Sequence, residues 1–242
     1  MTNTNKAAEP DATEISLTFR KGLQVMMAFD GENRQLTLAD IARKTALNRA
    51  VARRLVRTLV QAGMLVETAQ RYEMTVGVLR LMRGFIDGRG IASTIQPILR
   101  RASEAANESL SFALRDQEDA VYIAHAHLPG AFTLNQIAIG THVPLAKSAA
   151  GHAILAYSDD ADWPVDADES RIKETKDQGY AFFREGLVAG VSSIAMPVFG
   201  VSGQIEGAVS ALFPIDRYAT DDALKSLISV MRQTAADIGA NI

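Results

Sequence analysis

The 242-residue chain is 48% hydrophobic and has no cysteine, which supplies enough apolar material for one large or two smaller domains and excludes disulfides and thiolate metal sites. Its formal net charge is −3, yet residues 14–76 hold 10 Lys+Arg against 6 Asp+Glu while residues 77–242 hold 14 against 20. A basic front and an acidic back predict two domains with different partners.

The opening MTNTNKAAEPDATE is polar, and no later run approaches the roughly 18 apolar residues that a membrane span requires. A frayed terminus over residues 1–15, no membrane partner and a cytoplasmic location are therefore expected. Leu17 to Phe29 places Phe19, Leu23, Met26 and Met27 at helical spacing behind Ser16, a candidate N-cap. QLTLADIARKTALN predicts a second helix of about eight residues, capped by Thr37, with an apolar edge of Leu38, Ile41 and Ala42.

Arg49 to Ala62 contains no Gly or Pro, and Val51, Leu55, Leu59 and Ala62 define a buried stripe that Gly63 ends as C-cap. Arg49, Arg53 and Arg57 recur every four residues on another face; Arg54, between them, can pair with an acid of the first helix or contact a phosphate. Met64–Glu67 and Arg71–Met74 read as a hairpin around Thr68-Ala69-Gln70. Residues 16–75 thus predict a winged helix-turn-helix whose third helix enters the DNA major groove. Asn48, Arg49 and Arg53 are the candidates for the groove and Arg57 for a phosphate, and Thr37, Arg54 and Arg71 complete the expected contact set.

Val78, Leu79, Met82 and Phe85 share one helical face in residues 76–90, the expected linker helix. From Ile91 a helix to about Ser109 precedes the β-type runs LSFAL, AVYIAHA, FTLNQIAI, SSIAMPVF and EGAVSALF, with two helical segments among them and a last helix from Asp221 to Ile238. The fold class expected for residues 91–242 is α+β, an antiparallel sheet covered by helices. The acidic SDDADWPVDADE, residues 158–169, reads as a surface loop.

Three arrangements in the back half invite a chemical reading. His125 and His127 can share a strand face, with His142 or His152 as a third metal ligand, although two histidines on a solvated face are commoner. Ser148 near His152 suggests a nucleophile and base, but there is no G-x-S-x-G elbow, P-loop or G-x-G-x-x-G, and neither a metal, a cofactor nor a catalytic residue is assigned. In Lys147-Ser148-Ala149-Ala150-Gly151-His152, small residues enter a helix and leave amide N–H groups open to a carboxylate, while Ser148 can equally serve only as cap.

SLTFRKGLQVMMAF, LTLADIARKTALNRAVARRLVRTLVQAGML and RYEMTVGVLRL together resemble the amino-terminal domain of the IclR family of bacterial transcriptional regulators. The resemblance extends through PLAKSAAGHAILA and GYAFFREGLVAGVSSIAMPVF, and so covers nearly the whole chain from Ser16. It implies a winged helix-turn-helix that binds a double-stranded operator, a linker helix, a GAF-like domain that binds a small carboxylate, and a homodimer that can pair into a tetramer. RAVARR is similar to the aromatic-catabolism members. Effector positions implied by the resemblance are Phe132, Asn135, Ala149, Ala150, Phe183, Val191, Ser193, Ser210 and Leu212, beside Ser148 at the helix start. Phe183 and Leu212 replace more polar residues, so an aromatic or apolar-bodied acid is expected to bury against Phe132, Phe183 and Leu212; the chain is also shorter around residues 158–169, which leaves the pocket rim unassigned. An enzyme acting on a small acid with an accessory helix-turn-helix is the alternative, and a DNA-binding architectural protein with an effectorless back domain is a third.

Overall fold

The computed structural model describes residues 15–132, 137–186, 188–218 and 221–242. Two compact units meet between Phe85 and Ile86, inside the segment expected to link the domains. The frayed terminus and Asn135 lie outside the described residues.

In the front unit, helix α1 (Leu17–Met27) starts where the Ser16 hydroxyl accepts from the Phe19 amide at 3.3 Å. Its inward face differs from the sequence expectation: Val25, Ala28 and Phe29 are buried, whereas Phe19, Leu23 and Met27 face outward. Both stripes fit a helical repeat, and only packing decides which one enters the core. Strand β1 (Leu36–Thr37), which the sequence reading missed because it is two residues long, leads into α2 (Leu38–Thr45). A reciprocal capping box of Thr37 and Asp40 starts α2, and Ala46, at φ 53°, turns the chain out of it. Helix α3 (Arg49–Gln61) begins at Asn48, whose Oδ1 accepts from the Val51 amide at 2.8 Å.

The buried centre of α3 is Ala52, Leu55 and Val56, flanked by half-buried Val51 and Leu59; Ala62, expected in the stripe, is exposed because the helix has ended there. Strands β2 (Leu65–Thr68) and β3 (Arg71–Met74) form the hairpin, with β1 added on the far side of β3. Ala69 and Gln70 both have positive φ, which a two-residue hairpin turn demands. Gly63 and Gly77 close this unit: a Cβ on Gly77 would lie 2.4 Å from the Gly63 carbonyl oxygen. Helix α4 (Leu79–Gly88) follows a short 3-10 turn and buries none of its residues.

The back unit runs through a π-turn at Ile91–Ile95 into α5 (Gln96–Ala106), then β4 (Leu110–Asp116), β5 (Asp119–Ala126) and the short β6 (His142–Pro144). Helices α6 (Ala149–Leu155) and α7 (Glu169–Gln178) precede β7 (Ala181–Arg184), β8 (Val191–Phe199) and β9 (Ile205–Pro214), and α8 (Asp221–Gly239) closes the unit. The strands form one antiparallel sheet, ordered β6-β5-β4-β9-β8-β7. Strand alternation sends Phe112, Val209 and Phe213 into a core with α5 and α8, and Ala113, Ala195 and Ala208 into a second core with α6 and α7.

Two strand assignments change. Among the described residues of FTLNQIAI none belongs to a strand; Gly140, at φ 88°, donates to the Tyr122 carbonyl at 2.7 Å, and the ladder with β5 begins at His142. The four-residue β7 was missed, its signal being short and next to a helix. Within the acidic loop, Trp163 is turned inward, its indole N–H donating to the Leu155 carbonyl at 3.1 Å.

Glycine content yields opposite expectations at two helices. A Cβ on Gly151 would stand 2.1 Å from the Leu145 carbonyl oxygen, whereas one on Gly22 meets nothing within 4 Å. Gly151→Ala should destabilise the back unit by about 3 kcal/mol through overpacking, and Gly22→Ala should stabilise α1 by about 0.5–1 kcal/mol. Urea denaturation of both variants checks the pair.

Candidate DNA-binding face and effector cavity

Two surfaces can carry function, one in each unit. On α3, the buried stripe fixes the helix's rotation and leaves Arg49, Arg53, Arg54 and Arg57 exposed. Arg53, Arg54 and Arg57 line an open groove of about 740 Å³ between α3 and β2, with Ala50, Thr58, Val60, Gln61 and Glu67. Arg71 is exposed at the start of β3, beside the turn. Asn48 and Thr37 each use a side-chain oxygen to cap a helix, which leaves the Asn48 amide nitrogen for other contacts. Arg54 faces the groove and makes no ion pair among the described residues, so pairing with an acid of the first helix is not what the fold does. The groove's Glu67 was overlooked in the sequence because only the hairpin's register brings it beside α3.

In the back unit, a cavity of about 270 Å³ opens between the sheet, α6 and the segment before it. Ser148, Ala149, Ala150, Val191, Ser193, Ser210 and Leu212 all line it. Their convergence follows from the pleat: Ser193 and Leu212 are direct cross-strand partners, and Ser210 lies two residues from Leu212 on the same face. Phe183 also pairs with Ser193 but does not line the cavity; its ring packs edge-on to His152 at 4.7 Å and under the Arg171 guanidinium at 4.9 Å. Phe132 is half-buried elsewhere. Sequence reasoning missed Tyr122, Ile137, Thr141, His142, Val143, Pro144 and Val188 in the lining. Alternation along AVYIAHA held the signal for Tyr122; the segment around Thr141, just past the run FTLNQIAI, was assigned to no element.

The cavity is apolar with hydroxyls set into it. Ser210 is buried beside the Tyr122 phenol, whose pKa burial raises and the Ser210 hydroxyl lowers, so both side chains offer the cavity neutral hydroxyls. Among the described residues no Lys or Arg lines the wall, and His142 lies 3.5 Å from the Asp119 carboxylate. Ser148 Oγ accepts from the Gly151 amide at 3.0 Å and therefore caps α6. His152 is wholly buried, and its Nε2 lies 2.8 Å from the Ala146 carbonyl. A carbonyl can only accept, so Nε2 carries the proton and Nδ1 is left without a partner. Ser148 and His152 are thus both committed to backbone groups. His125 Nδ1 meets Ser111 Oγ at 2.9 Å and its ring stacks on His127 at 6.5 Å. Among the described residues, no three His, Asp or Glu side chains gather as metal ligands, and no helix is long and apolar enough to cross a membrane.

A winged helix-turn-helix with an outward arginine face, joined to a domain with a small-molecule cavity, defines a transcriptional regulator. Comparison with known proteins agrees. Residues 18–69 match the family model described as IclR helix-turn-helix domain, and residues 84–164 and 166–240 match that of the bacterial transcriptional regulator IclR C-terminal domain. The chain belongs to the IclR family. It is 25% identical over 243 residues to the Pca regulon regulatory protein of Pseudomonas putida, covering 93% of this chain and 84% of that protein. A crystal structure of a transcriptional regulator from Rhodococcus sp. RHA1 aligns with a TM-score of 0.78 at 30% identity, over 93% of this chain and 97% of the other. An IclR homolog from Microbacterium hydrocarbonoxydans, solved in complex with 4-hydroxybenzoate, shares the fold with a TM-score of 0.76 at 20% identity, over 92% and 97% of the two chains. The protein is a DNA-binding transcriptional regulator of the IclR type and not an enzyme.

Burial holds the pKa of His152 below its ordinary value. The unfolded state, titrating near pH 6.5, then binds more protons than the folded state below that pH. His152 therefore contributes stability that is present above about pH 6.5 and is lost as the pH falls toward the depressed folded value. His125, lowered by burial and by His127, acts in the same direction. Urea midpoints should fall between pH 7.5 and 5.5, and His152→Gln, which keeps the donor to Ala146 but does not titrate, should fall less.

Proposed function

We propose that the chain is a ligand-responsive regulator whose back domain takes a single-ring aromatic or similarly apolar-bodied carboxylate. The observation that carries this reading is the cavity itself: Ile137, Val143, Val188, Val191 and Leu212 form apolar walls, and the hydroxyls of Tyr122, Ser193 and Ser210 are set among them. About 270 Å³ lies just below the range of roughly 300–1,000 Å³ usual for ligand pockets, which suits one ring rather than a larger metabolite. Phe132 and Phe183 do not supply the ring contact expected of them; Tyr122 and aliphatic side chains do. The names of the Pca relative and of the 4-hydroxybenzoate complex support an aromatic acid.

The carboxylate is held by neutral donors. Helix α6 has only seven residues, so its macrodipole adds little, and the open first-turn amides of Ala149 and Ala150 act with the hydroxyls. Calorimetry with benzoate, 4-hydroxybenzoate, protocatechuate, glyoxylate and pyruvate tests the assignment. An aromatic acid should bind tightest, and Ser210→Ala should weaken it by about 1 kcal/mol. Tighter binding of glyoxylate or pyruvate than of every aromatic acid overturns it.

At the other end, Asn48, Arg49 and Arg53 enter the major groove, Arg54, Arg57 and Arg71 neutralise phosphates, and Thr37 sits at the start of α2 on the flank. The exposed apolar residues Phe19, Leu23 and Met27 of α1 and Leu79, Leu81 and Met82 of α4 are surface that a second copy covers in a homodimer. Anisotropy titrations across salt concentrations separate the arginine roles. Arg57→Ala should weaken all duplexes alike and flatten the log–log salt slope by about 1, whereas Arg53→Ala should cost about 1–3 kcal/mol on a selected duplex and little on a shuffled one. Equal losses for Arg53→Ala on both duplexes would remove it from base reading.

A further inference from the structure

Beyond the residues that line the first cavity, β8 runs on into a second concavity, an open groove of about 360 Å³ between β8, α8 and the turn after α6. The groove exists because β7 stops short. It pairs with β8 only from Ser192 to Ala195, which leaves the edge of Met196–Phe199 uncovered on that side. Pro197, with no N–H to give to a further strand, suits such an edge. Tyr157 and Phe199 line the groove as an edge-to-face pair with centroids 4.9 Å apart, and Gly179, at φ 80°, adds no side chain. On α8, Arg232, Ala235 and Ala236 recur at i, i+3 and i+4, so one guanidinium and two small residues share the face turned to the groove. That helix is seated firmly, because Gly239 leaves no room for a Cβ against the Phe199 carbonyl oxygen. Arg232 is exposed and makes no ion pair among the described residues, and no acid among them lines the groove. Asp237, further along α8, accepts from Gln233 Nε2 at 2.8 Å instead.

We propose that this groove is a second binding site, which takes a small aromatic monocarboxylate with its ring against Tyr157, Phe199 and Met196 and its carboxylate on Arg232. Charge complementarity selects the anion: a single unpaired cation stands beside an otherwise apolar wall. A guanidinium offers parallel N–H donors that match the two oxygens of a carboxylate. A phosphate or a dicarboxylate would call for further cations or a nest of amides, and the lining supplies neither. Two aromatic rings and a polarizable thioether favour a flat aromatic body over a branched aliphatic one. The two sites thus select differently, the first cavity by shape and neutral donors, the groove by charge. They share β8 but no lining residue, so the groove's assignment stands or falls apart from that of the first cavity.

The test uses the full-length protein with isotope-labelled methionine methyl groups, observed by NMR. Among the described residues Met196 is the one methionine that lines the groove, and none lines the first cavity. Its signal is assigned by its loss in Met196→Leu. Titration with benzoate should move the Met196 signal saturably, and benzamide, the neutral isostere, should need about tenfold more for the same shift. Arg232→Gln, at an exposed position, should weaken benzoate about three- to tenfold and leave benzamide unchanged. A Met196 signal that ignores benzoate overturns the proposal. So does an equal response to benzoate and benzamide, because the groove is then apolar surface without anion selection. A benzoate midpoint unchanged in Arg232→Gln also overturns it, because the shift is then transmitted along β8 from the first cavity. A signal that moves with protein concentration in place of benzoate overturns it in favour of an interface between copies of the chain.

Discussion

The α6 side of the back unit's cavity is set by the approach of that helix to the backbone of Leu145, with no side chain between them. Gly151 permits that approach, Ser148 caps the helix at its entrance, and the buried His152 N–H ties the first turn back to Ala146. These three constraints act within five residues and set the distance of Ala149 and Ala150 from the sheet. Had α6 stood off by the width of a methyl group, the serines of β8 and β9 would face a wider, wetter cleft. Small residues at the helix start are thus a requirement of packing first, and the amides they leave open follow from it.

The front unit is built by a similar economy of means. Thr37 with Asp40 begins α2, Ala46 turns the chain, and Asn48 begins α3, so the turn between the helices is fixed by caps at both ends. The apolar side of α3 then determines the direction of four arginines without any contact to them. Their exposure is what an external anion requires, and an internal salt bridge would have to be broken before DNA could bind.

Much of this was legible in the sequence because it rests on local rules. Capping residues at Ser16 and Thr37, the glycine stop at Gly63 and the spacing of Arg49, Arg53 and Arg57 all obey helix chemistry within a few residues; the cap at Asn48, read only as a groove contact, emerged from the fold. What was not legible depends on non-local packing. The α1 face could not be chosen because two apolar stripes compete, and the second core's claim on Phe183 required knowing that His152 and Arg171 converge on its ring. Tyr122 and Glu67 escaped notice because each becomes part of a site only through strand register. In the cavity, the positions on β8 and β9 were accessible from the family likeness, whereas the wall from Ile137 to Pro144 depends on a turn at Gly140 that follows the run read as a strand.

The two sites differ in what a ligand can change. Within the front unit the arginine spacing is fixed by α3, and the unit is closed by the approach of Gly77 to Gly63, so on the proposed function an acid in the back unit would find little internal geometry to alter there. The segment that joins the units is different: α4 buries none of its residues, and Gly90, at φ 61°, precedes a π-turn rather than a continuous α-helix. An effector can act through that segment only to the extent that its cavity binds more tightly in one arrangement than in another. Neutral donors in an apolar cavity make that difference sensitive to wall position, because each hydroxyl that loses its partner on a small shift costs about 1–3 kcal/mol. A lysine or arginine in the wall would hold such an acid over a longer distance and blunt the difference; none lines the cavity among the described residues.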